Sequence, residues 1–125
     1  MKFHEDDRAQ RLLDLFPIEG QVNVSYVNST EHIVAWHRHK IQDDYWCCLK
    51  GSFKVGLSDG VEVLWQYLSD KNFSVLHIPP PLWHGYKALE PGSIMLYYLT
   101  KKYNPNDEWK VLPGYFKEDW STKSQ

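Results

Sequence analysis

Two histidines stand two residues apart in the stretch WHRHKIQDDYWCCLKG, at positions 37 and 39, and Asp44 follows them. A third histidine, His84, closes the run Ile78-Pro79-Pro80-Pro81-Leu82-Trp83-His84. On a strand, His37 and His39 share one face, because the side-chain period is two. Neutral imidazole takes and gives protons near neutral pH. The same donors, His37, His39, Asp44 and His84, can instead ring one divalent transition metal. A third reading makes them polar filling at the mouth of a barrel. Spacing alone leaves all three open. Asp44 is as well suited to orienting a histidine as to ligating a metal. Arg38 and Lys40 alternate with the histidines and are expected on the opposite face. Tyr45, Trp46, Trp83 and Tyr86 could stack on a sugar or base, or could belong to a core or an interface.

These residues need elements to hold them. Val22, Val24 and Tyr26 alternate, as do Ile33, Ala35 and His37, and Phe53, Val55 and Leu57. Residues 45–49, 61–67, 74–78 and 94–100 add further strand-like runs. Lys50-Gly51 reads as a hairpin turn, and Ser58-Asp59-Gly60 as another. Short strands at close spacing predict an all-β sandwich or barrel. Leu12, Leu13 and Phe16 recur at helical spacing, which predicts one short helix over 5–16, stopped by Pro17. The expected organisation is an N-terminal helix and connector over 1–20, a barrel over 21–120, and a frayed tail over 121–125. Trp109 and Trp120 are expected to anchor the C-terminal segment.

The chain has 125 residues and a net charge of −2, which predicts one domain and gives no footprint for nucleic acid. No window reaches transmembrane length, and no signal peptide is read at the start. Cys47 and Cys48 are adjacent and expected to be reduced, as in a cytoplasmic protein.

His-x-His, four residues, a carboxylate and a later glycine resemble the first cupin motif, and Pro79 with His84 resembles the second. WHRHKIQDDYWCCLKGSFKVGL, IPPPLWHGYKAL and YYLTKKYNPNDE are similar to RmlC-like cupins that act on nucleotide-linked keto-deoxysugars: the dTDP-4-dehydrorhamnose 3,5-epimerases and dTDP-4-keto-6-deoxyglucose 3,4-ketoisomerases. The resemblance implies a single-domain cupin jelly-roll barrel, usually a homodimer, working without a cofactor. It implies proton transfer beside a sugar ketone, with His37 as base and His39 or Tyr103 as proton partner. It implies a nucleotide-sugar substrate, with His84, Tyr45, Trp83, Tyr86 and Lys87 as candidate contacts. Val34 stands where the epimerases have an arginine, and Asp44 where they have a lysine, so a diphosphate would need Arg38, Lys40 or Lys87. Alternatives are a metal-binding cupin, as oxygenase or small-molecule sensor, and a non-catalytic sugar- or nucleotide-binding cupin.

Overall fold

The computed structural model of the chain describes residues 2–7, 10–13, 16 and 19–122. The architecture is all-β. Strands β1 (Lys2–Glu5) and β2 (Gln10–Leu13) form an antiparallel hairpin of their own. A four-stranded sheet runs in the order β3 (Gln21–Val27), β10 (Ser93–Leu99), β5 (Asp44–Lys50), β8 (Leu76–Ile78). A five-stranded sheet runs β11 (Trp109–Lys110), β4 (Ile33–Arg38), β9 (Trp83–Ala88), β6 (Ser52–Ser58), β7 (Val63–Ser69). Every pairing is antiparallel.

The sheets bury Trp46, Cys48, Phe53, Val55, Leu68, Ile78, Ala88 and Met95 in one cluster. A second aromatic layer lies on the other face of the five-stranded sheet. There Trp36 packs at 5.3 Å from Trp120 and 5.1 Å from Phe116, and Trp65 packs at 4.8 Å from Trp120. This layer anchors the C-terminal segment, as expected of Trp120. The buried Lys54 ammonium adds to it, lying over Trp65 and donating to the carbonyls of Asp119 and Ser121. The tail beyond residue 122 lies outside the described residues.

Two expectations are corrected. The helix over 5–16 is absent: among the described residues, this stretch pairs as the β1–β2 hairpin, with Lys2 opposite Leu13 and Glu5 opposite Gln10. Helical spacing of a few apolar residues is a weak signal when so short a helix has little stability of its own. Phe16 instead stacks on Tyr98 at 4.9 Å. Lys50-Gly51 is not a hairpin either. It is a corner where the chain leaves one sheet for the other, since β5 and β6 belong to different sheets. Gly51 has a φ of 79°, and a Cβ there would fall 2.1 Å from Ser93 Oγ, so only glycine turns this corner. By contrast, Ser58-Asp59-Gly60 is the expected turn, joining β6 to β7, with Asp59 Oδ1 accepting from the N–H groups of Val61 and Glu62.

Three further features position the site. Strand β9, hidden in the sequence behind three prolines, places His84 directly opposite His37 on β4. The two backbones run close there, because a Cβ on Gly85 would lie 2.4 Å from that of Ala35. Beyond β4, the loop 39–43 is held by a segment far away in sequence. Pro105–Asp107 forms a short 3-10 turn capped by the Asn104 side chain. The Asp107 carboxylate accepts from the N–H groups of Lys40 (2.9 Å), Ile41 (3.2 Å) and Gln42 (3.2 Å). Burial pushes the Asp107 carboxyl up, but these donors outweigh it and hold it below the ordinary 3.8.

Replacing Asp107 with Ala therefore strands several backbone donors, and is expected to cost roughly 3 kcal/mol in urea unfolding. A carboxyl depressed in the fold stabilises above its unfolded value and loses that contribution as pH falls through its folded value. The gap between wild type and Asp107→Ala should thus be full above about pH 4 and close at more acid pH.

Candidate active site

A cavity of about 300 Å³ opens between the sheets. His37, His39 and His84 all line it, together with Asp44, Trp46, Tyr86, Tyr103 and Glu108. The His37 and His84 ring centroids are 6.3 Å apart, and those of His39 and His84 are 5.4 Å apart.

The same distant segment that binds the 39–43 loop sets the ring orientations. His39 Nδ1 lies 2.7 Å from the Asp107 carbonyl, so it carries the proton and donates. His37 Nδ1 lies 2.9 Å from Glu108 Oε1. A carboxylate partner fixes the proton on Nδ1 and leaves Nε2 with its lone pair, free to act as a base. On its other oxygen, Glu108 Oε2 accepts from the Tyr103 hydroxyl at 2.8 Å. The Tyr103 backbone N–H is in turn tied to Gln21 Oε1 at 3.0 Å. Burial pushes the Glu108 carboxyl up, but the hydrogen bonds from Tyr103 and His37 outweigh it and keep the group ionised. The Glu108 hydrogen bond, and then its charge, push the Tyr103 phenol above its ordinary 10.0.

Deeper in the cavity the chemistry changes. His84 is buried, and burial, with His39 and His37 nearby, drives its pKa well below 6.5, so the ring is neutral. Among the described residues its Nε2 has no hydrogen-bond partner, and it lies 3.9 Å from Asp44 Oδ2. Burial pushes the Asp44 carboxyl up, opposed by donors from Gln42 (2.7 Å) and Trp46 Nε1 (3.1 Å). One potential ligand atom from each of His39, Asp44 and His84 lies within 4.8 Å of the others, and all three residues are buried. His37 is not part of this group. The donor set could hold a metal ion by three residues.

Of the other sequence candidates, Tyr86 lines the cavity. Tyr45, Trp83 and Lys87 do not. Tyr45 stacks on His77 at 4.5 Å. Trp83 faces the outer layer, against Phe116 and the Arg38 guanidinium. Lys87 Nζ donates to the Trp120 carbonyl. Arg38 and Lys40 both lie over Trp109, on the face that alternation assigned them. Among the described residues, none that lines the cavity is a lysine or arginine.

Sequence reasoning missed Glu108, Gln21, Asn23, Gln42, Tyr97 and Leu99 as lining residues. The signal for Gln21 and Asn23 was present. They alternate with Val22, Val24 and Tyr26, which are 54%, 61% and 63% exposed. Strand β3 therefore turns its polar side to the cavity and its apolar side out.

The family model described as FdtA, WxcM-like, C-terminal, matches residues 17–118. The chain belongs to the FdtA family. This FdtA-family chain is 34% identical to the spore coat polysaccharide biosynthesis protein SpsL of Bacillus subtilis, over 86% of its own length and 82% of that protein's. It is 31% identical to the probable low-salt glycan biosynthesis epimerase Agl13 of Haloferax volcanii, over 75% of its own length and 66% of Agl13's. Among solved structures it resembles the QdtA 3,4-ketoisomerase of Thermoanaerobacterium thermosaccharolyticum, a double mutant in complex with TDP. The identity is 25% and the TM-score 0.73, over 88% of this chain and 83% of that one. The cupin barrel expected from the histidine motifs agrees with this family and with the two antiparallel sheets of the chain.

Proposed function

We propose that the chain is a sugar-nucleotide isomerase of the epimerase or ketoisomerase type, moving protons at a carbon beside a sugar ketone. One observation carries this reading: His37 and Tyr103 line the same cavity and are joined through the two oxygens of Glu108. His37 Nε2 removes the proton. The C–H electron pair moves onto the ketone oxygen as an enolate, and donors in the cavity stabilise it. Tyr103 returns a proton to carbon. His39 and neutral His84 face the sugar ring and the developing enolate. The relatives are named for glycan and spore-coat polysaccharide biosynthesis, and the QdtA structure holds TDP, which supports a nucleotide-sugar substrate. A cavity of about 300 Å³ suits one sugar ring, at the lower end of small-molecule sites. With no lysine or arginine among the described lining residues, the diphosphate belongs at the rim, where exposed Lys101 and Lys102 precede Tyr103. The free cysteines and such a substrate fit a cytoplasmic setting.

The test is solvent exchange. Incubation with dTDP-4-keto-6-deoxyglucose in heavy water should bring deuterium into C3, or into C3 and C5, followed by NMR and mass spectrometry. His37→Asn should lower exchange by about two to four orders of magnitude. Tyr103→Phe should spare exchange more than net conversion, because the base remains. No exchange with any dTDP-, UDP- or GDP-linked keto sugar would sink the reading.

A second reading is favoured by His84 Nε2, which has no hydrogen-bond partner among the described residues and lies beside Asp44: a metal-binding site on His39, Asp44 and His84. Elemental analysis of protein purified without chelator separates the two. Proton transfer by side chains alone goes with substoichiometric metal and an EDTA-insensitive exchange. About one Fe, Mn, Ni or Zn per chain, lost in His39→Ala, supports the metal reading.

We further place the chain as a homodimer. The outward Val22, Val24 and Tyr26 form an apolar stripe on an edge strand, and such a stripe needs cover. Light scattering should give twice the 14.8 kDa of the chain, and Val24→Lys should shift it toward the monomer. A monomeric wild type would refute the pairing.

A further inference from the structure

Glu108 stands between the two groups that the proposed reaction must use in turn. Its side chain is 11% exposed and touches His37 with one oxygen and Tyr103 with the other, at 2.9 and 2.8 Å. Two independent residues, each with its own orienting partner, would satisfy the same chemistry. Sharing one carboxylate does something more, because the charge state of either partner is felt by the other through about two hydrogen-bond lengths.

We propose that Glu108 is a positioning residue that couples the base to the acid, so that protonation of His37 releases the Tyr103 proton. This rests on the base and acid roles given above. Before reaction, the carboxylate is shared by a neutral imidazole N–H and a neutral phenol. Its negative charge opposes formation of a phenolate beside it, so Tyr103 keeps its proton. When His37 Nε2 takes a proton from carbon, the ring becomes an imidazolium 2.9 Å from Glu108. The carboxylate charge is then paired, and its opposition to a phenolate falls. Tyr103 becomes the stronger acid at the stage when an enolate is waiting for a proton. Its O–H bond breaks, a C–H bond forms, and the enolate electron pair is consumed. One proton has been taken and one given. Solvent at the cavity mouth resets the pair, since Tyr103 is half exposed. The order of events follows from charge: the acid is withheld until the base has acted.

Other charged groups near the phenol are a constant background. Lys110 Nζ lies 3.8 Å from Glu108 Oε2 on the exposed side, and Lys101 and Lys102 precede Tyr103. Lys110 also stands opposite His37 in the β11–β4 ladder, but it carries the same charge before and after His37 takes its proton, so it does not report that change to the phenol. The raised Tyr103 pKa, caused first by the Glu108 hydrogen bond and then by the Glu108 charge, agrees with the resting half of the cycle.

The test needs no substrate. The Tyr103 phenol is titrated by ultraviolet difference spectroscopy, each protein being read against the same protein carrying Tyr103→Phe. In wild type the midpoint should lie above that of free tyrosine. Glu108→Gln should bring it down toward the free value. His37→Asn should leave it raised, because the carboxylate keeps its charge. His37→Arg places a permanent cation where the imidazolium would form, and should bring the midpoint down although Glu108 is intact. An unchanged midpoint in Glu108→Gln, or a wild-type midpoint in His37→Arg, overturns the coupling. If arginine is not accommodated in the fold, the Glu108→Gln titration still decides, since a phenol that does not feel the carboxylate cannot be coupled through it. Failure here leaves His37 and Tyr103 as base and acid, each acting alone. Failure of solvent exchange with every keto sugar removes those roles and leaves the titrations as they are.

Discussion

The site depends on one short segment, residues 104–108, laid across the end of β4. Asp107 satisfies three consecutive backbone N–H groups of the loop after His39 and offers its carbonyl to His39 itself. The next residue, Glu108, orients His37 and Tyr103. Each contact is a charged or carbonyl acceptor meeting a donor that would otherwise be stranded in a partly buried place. The segment therefore does two things at once. It closes a loop that has no ladder to pair with, and it sets which nitrogen of each ring faces the cavity.

The electrostatics follow from depth. At the mouth, Glu108 is surrounded by donors and stays ionised. Farther in, His84 and Asp44 are both pushed toward their neutral forms by burial. A cavity graded in this way can exchange protons near solvent while presenting neutral, polarising groups to the part of a substrate it encloses. Its walls add flat apolar surface: the Trp46 ring meets His84 and Tyr86 edge-on, at 5.1 and 5.5 Å.

Much of the barrel was legible in the sequence because strand alternation is a local signal. Val22-Val24-Tyr26, Phe53-Val55-Leu57 and the run at 94–100, apart from Thr100, lie in strands. Which side faced inward was not always legible. On β3 the apolar residues face out, since the cavity behind them takes the polar ones. Lys50-Gly51 looked like a hairpin because a tight turn and a corner between sheets use the same glycine, and only the distant Ser93 tells them apart. In the site, the three histidines were legible from type and spacing. Glu108 was not, because its value comes from a turn that returns 71 positions later to His37. Trp83 and Lys87 were misplaced for a simpler reason. Once 83–88 is known to be a strand, parity with His84 keeps Tyr86 in the cavity and turns both of them out. The three prolines before it concealed that strand.

The close approach of Ala35 and Gly85 bears on what variation the molecule can accept. These are the smallest side chains available, and they sit between the strands that carry His37 and His84. Any residue but glycine at 85 adds at least a Cβ, within 2.4 Å of Ala35 Cβ and 2.9 Å of the Val34 carbonyl. Enlarging either position would push β4 and β9 apart and carry the two imidazoles with them. Descendants of this sequence can thus retune the cavity through Val34, Tyr86 or Leu99, which line it, with the histidine spacing untouched. The pair behind them has no room for a larger side chain. Diversification of substrate in such a lineage would run along the walls and leave the histidine frame as it is.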